Sequence, residues 1–426
     1  MIRLFNRFTL ACITTLLAAT SHATTWVKAD ALLDVVSGKL INNPIVEIDG
    51  DKFVAVHTSP PTPAEEDEWV DLSGMTLLPG LMDMHVHITG SHAEHGYRRL
   101  QATSGHAAIL GTVNLNTTLQ AGFTTIRNLG APDYIDIDLA KAVDEGLIPG
   151  PRMFASGPSL GITGGHCDNN LLPKALNVPA DGVADGPWAV RTKVRENIKY
   201  GAKVIKFCAT GGVLSKGTKV GVQQYTLEEM QALVDEAHRR GLIVAAHAHG
   251  TEGIKAAIEA GVDSVEHASF LDAEAIKMAK KRGTYFSMDI YVTEFILSEG
   301  EAAGILPESL EKERQTGQRQ RKSFSDAVAA GVKMVFGTDA AVYPHGDNAK
   351  QFARMVRFGM TELQAIQAAT INAATLLKMQ DQLGSVASGK QADLIAVAGN
   401  PLENISLLEQ VGFVMKDGTI YKQPEQ

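Results

Sequence analysis

Leu81-Met-Asp-Met-His-Val-His87 is a short apolar run that closes on two histidines. Side chains two apart on a strand point the same way, so a strand here turns His85 and His87 together. Similar β-prone runs recur downstream at 123–129, 152–157, 204–209, 243–248, 262–268, 284–290 and 333–338, and the first lies at 81–86. Helical stretches separate them. The clearest spans 226–240, where Leu227, Met230, Leu233, Val234 and Ala237 fall at helical spacing. Strand and helix alternating eight times predict a closed (β/α)8 TIM barrel rather than an open doubly wound sheet. No Gly-rich dinucleotide or phosphate loop is present, which also speaks against a nucleotide-binding sheet.

The flanks read differently. Val46-Glu-Ile-Asp-Gly-Asp-Lys-Phe-Val-Ala-Val56 is two β runs around an Asp49-Gly50-Asp51 turn, a hairpin signal. The segments Gly384–Val397 and Val411–Tyr421 are again β-rich. The economical arrangement is a small β-sandwich made from residues 24–79 and 381–426, set beside a barrel of residues 80–380. Ahead of it, Arg3 and Arg7 precede an apolar run to about Ala19 and the small residues Ser21 and Ala23, the pattern of an export signal cleaved after Ala23. The run is too short for a comfortable membrane span. The protein is therefore expected to be exported, periplasmic or secreted, with no membrane partner once the signal is removed.

Composition narrows the classes. The 426 residues carry 39 Lys+Arg against 48 Asp+Glu, a net charge of -9, with 45% hydrophobic and 20% charged residues. Wholesale disorder is excluded. The acidic balance argues against nucleic acid as a partner and suits cationic small substrates, as a steering effect only. The three cysteines, Cys12, Cys167 and Cys208, form no Cys-x-x-Cys pattern. Cys167 and Cys208 remain after export and could pair in an oxidising space. Their places beside candidate site residues favour two buried free thiols.

Histidine, with 13 copies, is the richer source of metal ligands. Strand C-terminal ends face the barrel mouth, where active sites of this architecture lie. His85 and His87 at the end of strand one are a natural clamp for zinc. Lys206 lies inside the apolar run Val204-Ile-Lys-Phe-Cys-Ala209, so it points either at the helices, which is costly, or into the mouth. His247 ends strand five, His267 strand six and Asp339 strand eight. Ligand-type groups at five strand ends of one rim outweigh the bland reading of each as a satisfied core residue. His92, His95 and His106 fit loop or surface positions, and His345 lies beyond Asp339 where it would line the mouth. In strand seven, alternation puts Phe286, Met288 and Ile290 on the helix side. It turns Tyr285, Ser287, Asp289 and Tyr291 inward, Asp289 nearest the mouth.

This set resembles the binuclear-metal branch of the amidohydrolase superfamily, through Leu78-Pro-Gly-Leu-Met-Asp-Met-His-Val-His87, Lys206, His247, His267, Gly337-Thr-Asp339 and Gly384-x4-Gly389-Lys-Gln-Ala-Asp393-Leu. Thr163-Gly-Gly-His166, Ala246-His-Ala-His249-Gly and Val262-Asp-Ser-Val-Glu-His267-Ala are similar to the imidazolonepropionase-related group that contains bacterial prolidases. Gly164-Gly-His-Cys-Asp168, Cys208-Ala-Thr-Gly-Gly-Val213 and Tyr343-Pro-His-Gly-Asp-Asn-Ala-Lys350 look most like dipeptidases and carboxypeptidases that release C-terminal Arg or Lys. The resemblance implies two Zn2+ or other divalent ions, bridged by an N-carboxylated Lys206. His85, His87 and Asp339 would hold one, and His247 and His267 the other. It further implies Asp339 as the proton carrier and His166 as a polariser of the scissile carbonyl. His249 is assigned to substrate binding, at a position where some relatives carry Tyr. Asp289, with Tyr291 near it, would receive a cationic substrate side chain.

The leading function is an exported zinc-dependent amidohydrolase that acts on dipeptides or short peptides as a dipeptidase or carboxypeptidase, expected to release C-terminal Arg or Lys. The alternatives are an Xaa-Pro dipeptidase, an N-acyl amino acid hydrolase or, against the export signal, an imidazolonepropionase-type cyclic amide hydrolase. A non-catalytic barrel used for binding would be expected to have a broken ligand set, and here all six positions are filled. Serine or cysteine nucleophile chemistry lacks its signature, since no Gly-x-Ser-x-Gly elbow occurs. The partner is then a small peptide, and relatives of this kind often form homo-oligomers.

Overall fold

Eight short parallel strands alternate with helices in the central part of the chain. The computed structural model describes residues 23–60, 64–176 and 178–424. The expected export segment lies outside them apart from Ala23. Barrel strands one to three (Leu81–Val86, Phe123–Asn128, Arg152–Ala155) form one parallel sheet. Strands four to eight (Val204–Cys208, Ile243–Ala248, Ser264–His267, Tyr285–Ser287, Met334–Val335) form another. Two seams close the ring. Leu160 bridges Phe207 beyond strand three, and Ala340 bridges Val86 beyond strand eight.

Strands four and five follow the period of two cleanly. Ile205, Phe207, Val244, Ala246 and Ala248 enter the core shared with the helices. Val204, Ile243 and Ala245 plug the barrel interior with Met82, Met84 and Val335. Lys206, Cys208, His247 and His249 continue the inward rows toward the mouth. The helix expected at 226–240 runs from Leu227 to His238 behind a capping box, in which Thr226 Oγ1 accepts from Glu229 N–H and the Glu229 side chain accepts from Thr226 N–H.

Strands seven and eight are shorter than alternation suggests. Strand seven stops at Ser287 because the chain turns at once: Ile290 N–H donates to Met288 O and Val292 N–H to Asp289 O. Asp289, just past the strand end, still faces the rim beside His267, whereas Tyr291 packs against Tyr343. Phe286, Met288 and Ile290 do enter the helix-side core. Among the described residues no helix is long and apolar enough to cross a membrane.

Both ends of the chain meet in one mixed eight-stranded sheet. Thr25–Asp34 pairs in parallel with Glu68–Pro79, which pairs antiparallel with Leu394–Ala398. The hairpin read around Gly50 is present, Ile45–Asp49 against Lys52–His57. Its outer strand returns to the C-terminal segment, Phe53 N–H donating to Lys390 O (2.9 Å) and Ala392 N–H to Asp51 O (2.8 Å). The sheet thus wraps its own core of Val27, Leu32, Val46, Phe53, Leu77, Leu394 and Phe413. The two layers of the expected sandwich are joined by continuous hydrogen bonding. Arg152, at the start of barrel strand three, ties the barrel to this sheet through Asp393 Oδ2 (2.8 Å) and Asp417.

Candidate active site

The rim at the C-terminal ends of the strands gathers His85, His87, Lys206, His247, His249, His267 and Asp339. His85 Nε2 and His87 Nε2 lie 3.5 and 3.2 Å from the same oxygen of Asp339. The His247 and His267 ring centroids are 4.6 Å apart, those of His249 and His267 4.8 Å. Three sets have ligand atoms within 4.8 Å of one another: His85, His87 and Asp339; His247, His249 and His267; and His267, Asp289 and Asp339. His249, expected as a substrate contact, thus stands among the potential metal ligands. Its Nδ1 is 2.7 Å from Ser269 Oγ.

The backbone is bent to make this convergence. Val265 faces the helix-side core, Glu266 faces inward, and strict alternation would turn His267 outward again. Instead the chain enters the left-handed region at His267 (φ 68°) and Ala268 (φ 45°), and at Asp339 (φ 58°). Non-glycine residues held there cost about 1–3 kcal/mol each, and such strain clusters at functional sites.

Charges without access to water orient the ligands. Arg127 is fully buried and donates to Met84 O (2.6 Å), Ser264 Oγ (2.8 Å) and Glu266 Oε1 (2.8 Å). The other Glu266 oxygen lies 3.2 Å from His85 Nδ1. Burial would raise the Glu266 pKa, but Arg127 and His85 hold it well below the usual carboxylate range. Glu266 thus sets a carboxylate oxygen beside His85 Nδ1, in contact without an aligned hydrogen bond, while Nε2 faces Asp339. Asp83 braces the same strand, accepting from His85 N–H (3.1 Å), Thr338 Oγ1 (2.6 Å) and Asn348 Nδ2 (2.8 Å).

Asp289 is 2% exposed, and its Oδ1 lies 2.9 Å from His267 Nδ1 and accepts from Gln320 Nε2 at 2.9 Å. Expected as the receiver of a substrate side chain, it is instead the group that orients His267. Tyr291 is likewise engaged in packing, its ring edge-on to Tyr343 at 4.9 Å with the Arg354 guanidinium 4.9 Å from its centroid. His345 is turned away from the mouth, with Nδ1 3.1 Å from Thr118 Oγ1 and Nε2 3.4 Å from His87 O, so it props the His87 backbone.

His166 comes from the loop after strand three and stacks on His247 at 4.1 Å. Its N–H donates to Gln224 Oε1 (3.0 Å) and its Nδ1 lies 2.7 Å from Ser215 Oγ. A side chain on Gly212 would collide with the His166 ring, so glycine is required where this loop passes. Burial, with His267 and Lys206 nearby, lowers the His166 pKa to about 3, so the imidazole is neutral. The two cysteines expected as free thiols are joined: Cys167, next to His166, forms a disulfide with Cys208, Cα atoms 6.0 Å apart. Cys208 stands two residues after Lys206 on the inward face of strand four, where the third loop crosses it.

Lys206 is 3% exposed, and its ammonium makes no hydrogen bond or ion pair among the described residues. Burial lowers its pKa to about 8, against the raising effect of Glu266 and Asp339. Its charge acts on His85, His166, His247, His249 and His267, which puts it at the centre of the cluster.

The residues fit a metal centre by their chemistry. His247 Nε2 is buried with no partner, and imidazole nitrogens and carboxylate oxygens of the kind zinc prefers converge within one group. Burial keeps the His85, His247 and His249 pKa values low, so these imidazoles are in the neutral form that ligates. Of the residues that complete the site, Glu266, Arg127, Asp83 and Asn348 were not read from the sequence. Arg127 and Glu266 had a usable signal, a charge inside the apolar runs Phe123–Leu129 and Val262–Ala268.

Fold and rim together define a class, a barrel hydrolase. The chain belongs to the amidohydrolase family, whose profile matches residues 76–422, and within it to the prolidase-like group. It is 37% identical over 374 residues to an ochratoxinase of Aspergillus niger, covering 82% of this chain and 76% of that protein. A crystal structure of a Xaa-Pro dipeptidase with methionine bound in its active site superposes with a TM-score of 0.87 at 39% identity, covering 94% of this chain and 100% of the other. A prolidase complexed with N-methylphosphonate-L-proline gives a TM-score of 0.87 at 34% identity with the same coverage. The protein is a hydrolase of amide bonds. Its family typically works with two metal ions, and the rim offers the donor groups for them.

Proposed function

We propose that this protein is an exported, metal-dependent dipeptidase that releases the C-terminal residue of dipeptides and short N-acyl amino acids. The observation that carries the reading is Lys206, a buried amine without a partner amid five histidines and Asp339. An unpaired buried ammonium is costly, and an ammonium cannot ligate a metal. With a pKa near 8, roughly a tenth of Lys206 is, at pH 7, the neutral amine that adds to carbon dioxide. The new N–C bond and the loss of one proton turn it into an anionic two-oxygen ligand. His85, His87 and Asp339 would hold one ion, His247 and His267 the second, and carboxylated Lys206 would join them.

Divalent ions bound there lower the pKa of water and polarise a carbonyl oxygen. The chain supplies the rest. Asp339 Oδ accepts the proton of the attacking water and returns it to the leaving nitrogen. His166, neutral and held through Nδ1 by Ser215, directs its Nε2–H at the scissile carbonyl oxygen. Substrate class is supported by the relatives, two of which are a dipeptidase and a prolidase. A preference for C-terminal Arg or Lys was expected to use Asp289, which His267 and Gln320 already engage. We therefore place no side-chain selection at Asp289. Export is supported by the leader-type sequence and by the Cys167–Cys208 disulfide, which persists in oxidising compartments. A mature chain beginning at Thr24 in the exported fraction would establish it.

The test is hydrolysis of Xaa-Met, Xaa-Pro, Xaa-Arg and Xaa-Lys by the purified, zinc-loaded chain. We expect activity that disappears on chelation and in Lys206→Ala, with partial return when a short carboxylic acid is added to that variant. No cleavage of any of the four, or full activity of Lys206→Ala, overturns the reading.

A further inference from the structure

The loop after strand four, residues 209–226, meets His166 and is held from outside the barrel. Gly211 N–H donates to Val222 O (2.9 Å) and Gly221 N–H to Gly211 O (2.9 Å), which closes the loop on itself. Lys312 Nζ donates to Ser215 O (2.7 Å), and Gly217 N–H donates to Glu308 Oε1 (2.9 Å). The long helix Pro307–Ala330 thus grips the loop tip. Gly217 adopts φ 73°, a left-handed turn that glycine enters without strain, and Thr218 comes back beside Ser215.

Two hydroxyls line up behind His166. Its Nδ1 lies 2.7 Å from Ser215 Oγ, and Ser215 Oγ lies 2.5 Å from Thr218 Oγ1. Gly212 O, 3.4 Å from both hydroxyls, is their other acceptor. Ser215 is buried, so its single hydroxyl proton goes to one of these three neighbours. His166 Nε2 has no hydrogen-bond partner among the described residues, and His166 belongs to none of the three groups whose ligand atoms converge. A nitrogen that is to meet a carbonyl oxygen must carry a proton, because that oxygen only accepts.

Two proton orders fit these contacts. In one, His166 Nδ1–H donates to Ser215, Ser215 donates to Thr218, and Thr218 has only the distant Gly212 O to donate to. Nε2 then turns a lone pair toward the substrate. In the other, Thr218 donates to Ser215 and Ser215 to Nδ1. Both hydroxyl protons then lie in the short contacts, and Nε2 carries the imidazole proton. We infer that Thr218 is a positioning residue which, through Ser215, places the His166 proton on Nε2. The inference rests on the hydrolase reading above and deepens it by naming what keeps the polarising imidazole in its donor form. No proton is gained or lost: the ring stays neutral, and its one N–H is assigned to the nitrogen that faces the substrate.

The test reads the proton directly. Nuclear magnetic resonance of the zinc-loaded chain with isotope-labelled histidine gives both ring-nitrogen shifts of His166, assigned by their loss in His166→Gln. Wild type should show a protonated Nε2 and a bare Nδ1. Thr218→Val keeps the side-chain shape and removes the hydroxyl, so a share of the proton should move to Nδ1. Its kcat on Ala-Met should fall about 10–100-fold while KM and metal content stay constant, as for a donor felt in the transition state. Thr218→Ser should restore both readings. Ser215→Ala should lose at least as much as Thr218→Val, and combining the two should cost nothing further, since the relay acts only through Ser215. A wild-type proton on Nδ1, a lower kcat in Thr218→Val with the proton still on Nε2, or no change in that variant overturns the inference and leaves the hydrolase standing. A proton that moves as expected in a chain that cleaves no peptide overturns the proposed function and keeps the relay. A proton on Nδ1 in a chain without hydrolysis overturns both. If Thr218→Val does not fold, the wild-type shifts and Ser215→Ala decide.

Discussion

Arg127 and Glu266 make their contribution out of reach of solvent. A buried ion pair is weak as a source of stability, because desolvation offsets most of the attraction. Its value here is directional: Met84 O and Ser264 Oγ fix the Arg127 fork, its third donor pins Glu266, and Glu266 faces His85 Nδ1 at 3.2 Å. Arg127→Met would strand a buried carboxylate, at a cost of about 3–5 kcal/mol. Arg127→Lys keeps the charge and removes the fork. We expect that variant to fold but to bind metal about 10–100-fold more weakly, the usual penalty for losing an outer partner of a ligand. Chelator competition measures it, and unchanged metal affinity would show that Glu266 needs no fork. At this scale the candidate ligands were legible because histidine and lysine at strand ends are rare and chemically specific. Asp289 was misread because an inward carboxylate looks the same whether it serves a substrate or a neighbouring imidazole.

Strand four and the loop after strand three illustrate what a single element can and cannot announce. Inward alternation of Val204, Lys206 and Cys208 follows from spacing alone. The partner of Cys208 does not, since Cys167 approaches it only when the third loop folds over the strand end. That disulfide closes a separation of 41 residues and anchors the residue next to His166. Cys167→Ser should lower unfolding stability by about 2–4 kcal/mol, typical for losing such a link. It should also reduce kcat through His166 while the metal content stays constant. Denaturant melts, turnover and metal analysis on the same sample check this, and an unchanged kcat would show that Ser215 and Gln224 suffice to hold His166.

Leu33, Ile395, Val397 and Val414 of the terminal sheet pack into the core around the barrel, and charged contacts add to that junction. Arg152 reaches Asp393 and Asp417, and Asp417 N–H donates to Asp393 Oδ1 (3.0 Å). Asp393 is 5% exposed, so removing its cation leaves a nearly buried charge unpaired. Arg152→Ala should therefore destabilise the molecule by about 3 kcal/mol. Arg152 lies at the N-terminal end of its strand, away from the rim, so the folded fraction should keep its kcat/KM. Loss of activity in fully folded Arg152→Ala would show that the sheet positions the rim.

Sequence periodicity determined the barrel, the helix after Thr226, the hairpin at Gly50 and the gathering of six candidate ligands on one rim. Each depends on spacing along the chain or on a residue type with few other uses. Tertiary structure alone decided which charges meet. His267 points inward against alternation because its backbone adopts φ 68°. Strand seven stops before Asp289, which lets that carboxylate close on His267. Cys208 finds Cys167, and Arg127 finds Glu266 at 139 residues' separation. Such pairings are set by where loops cross and strands adjoin once the ring closes, and no local pattern in a linear chain encodes that proximity.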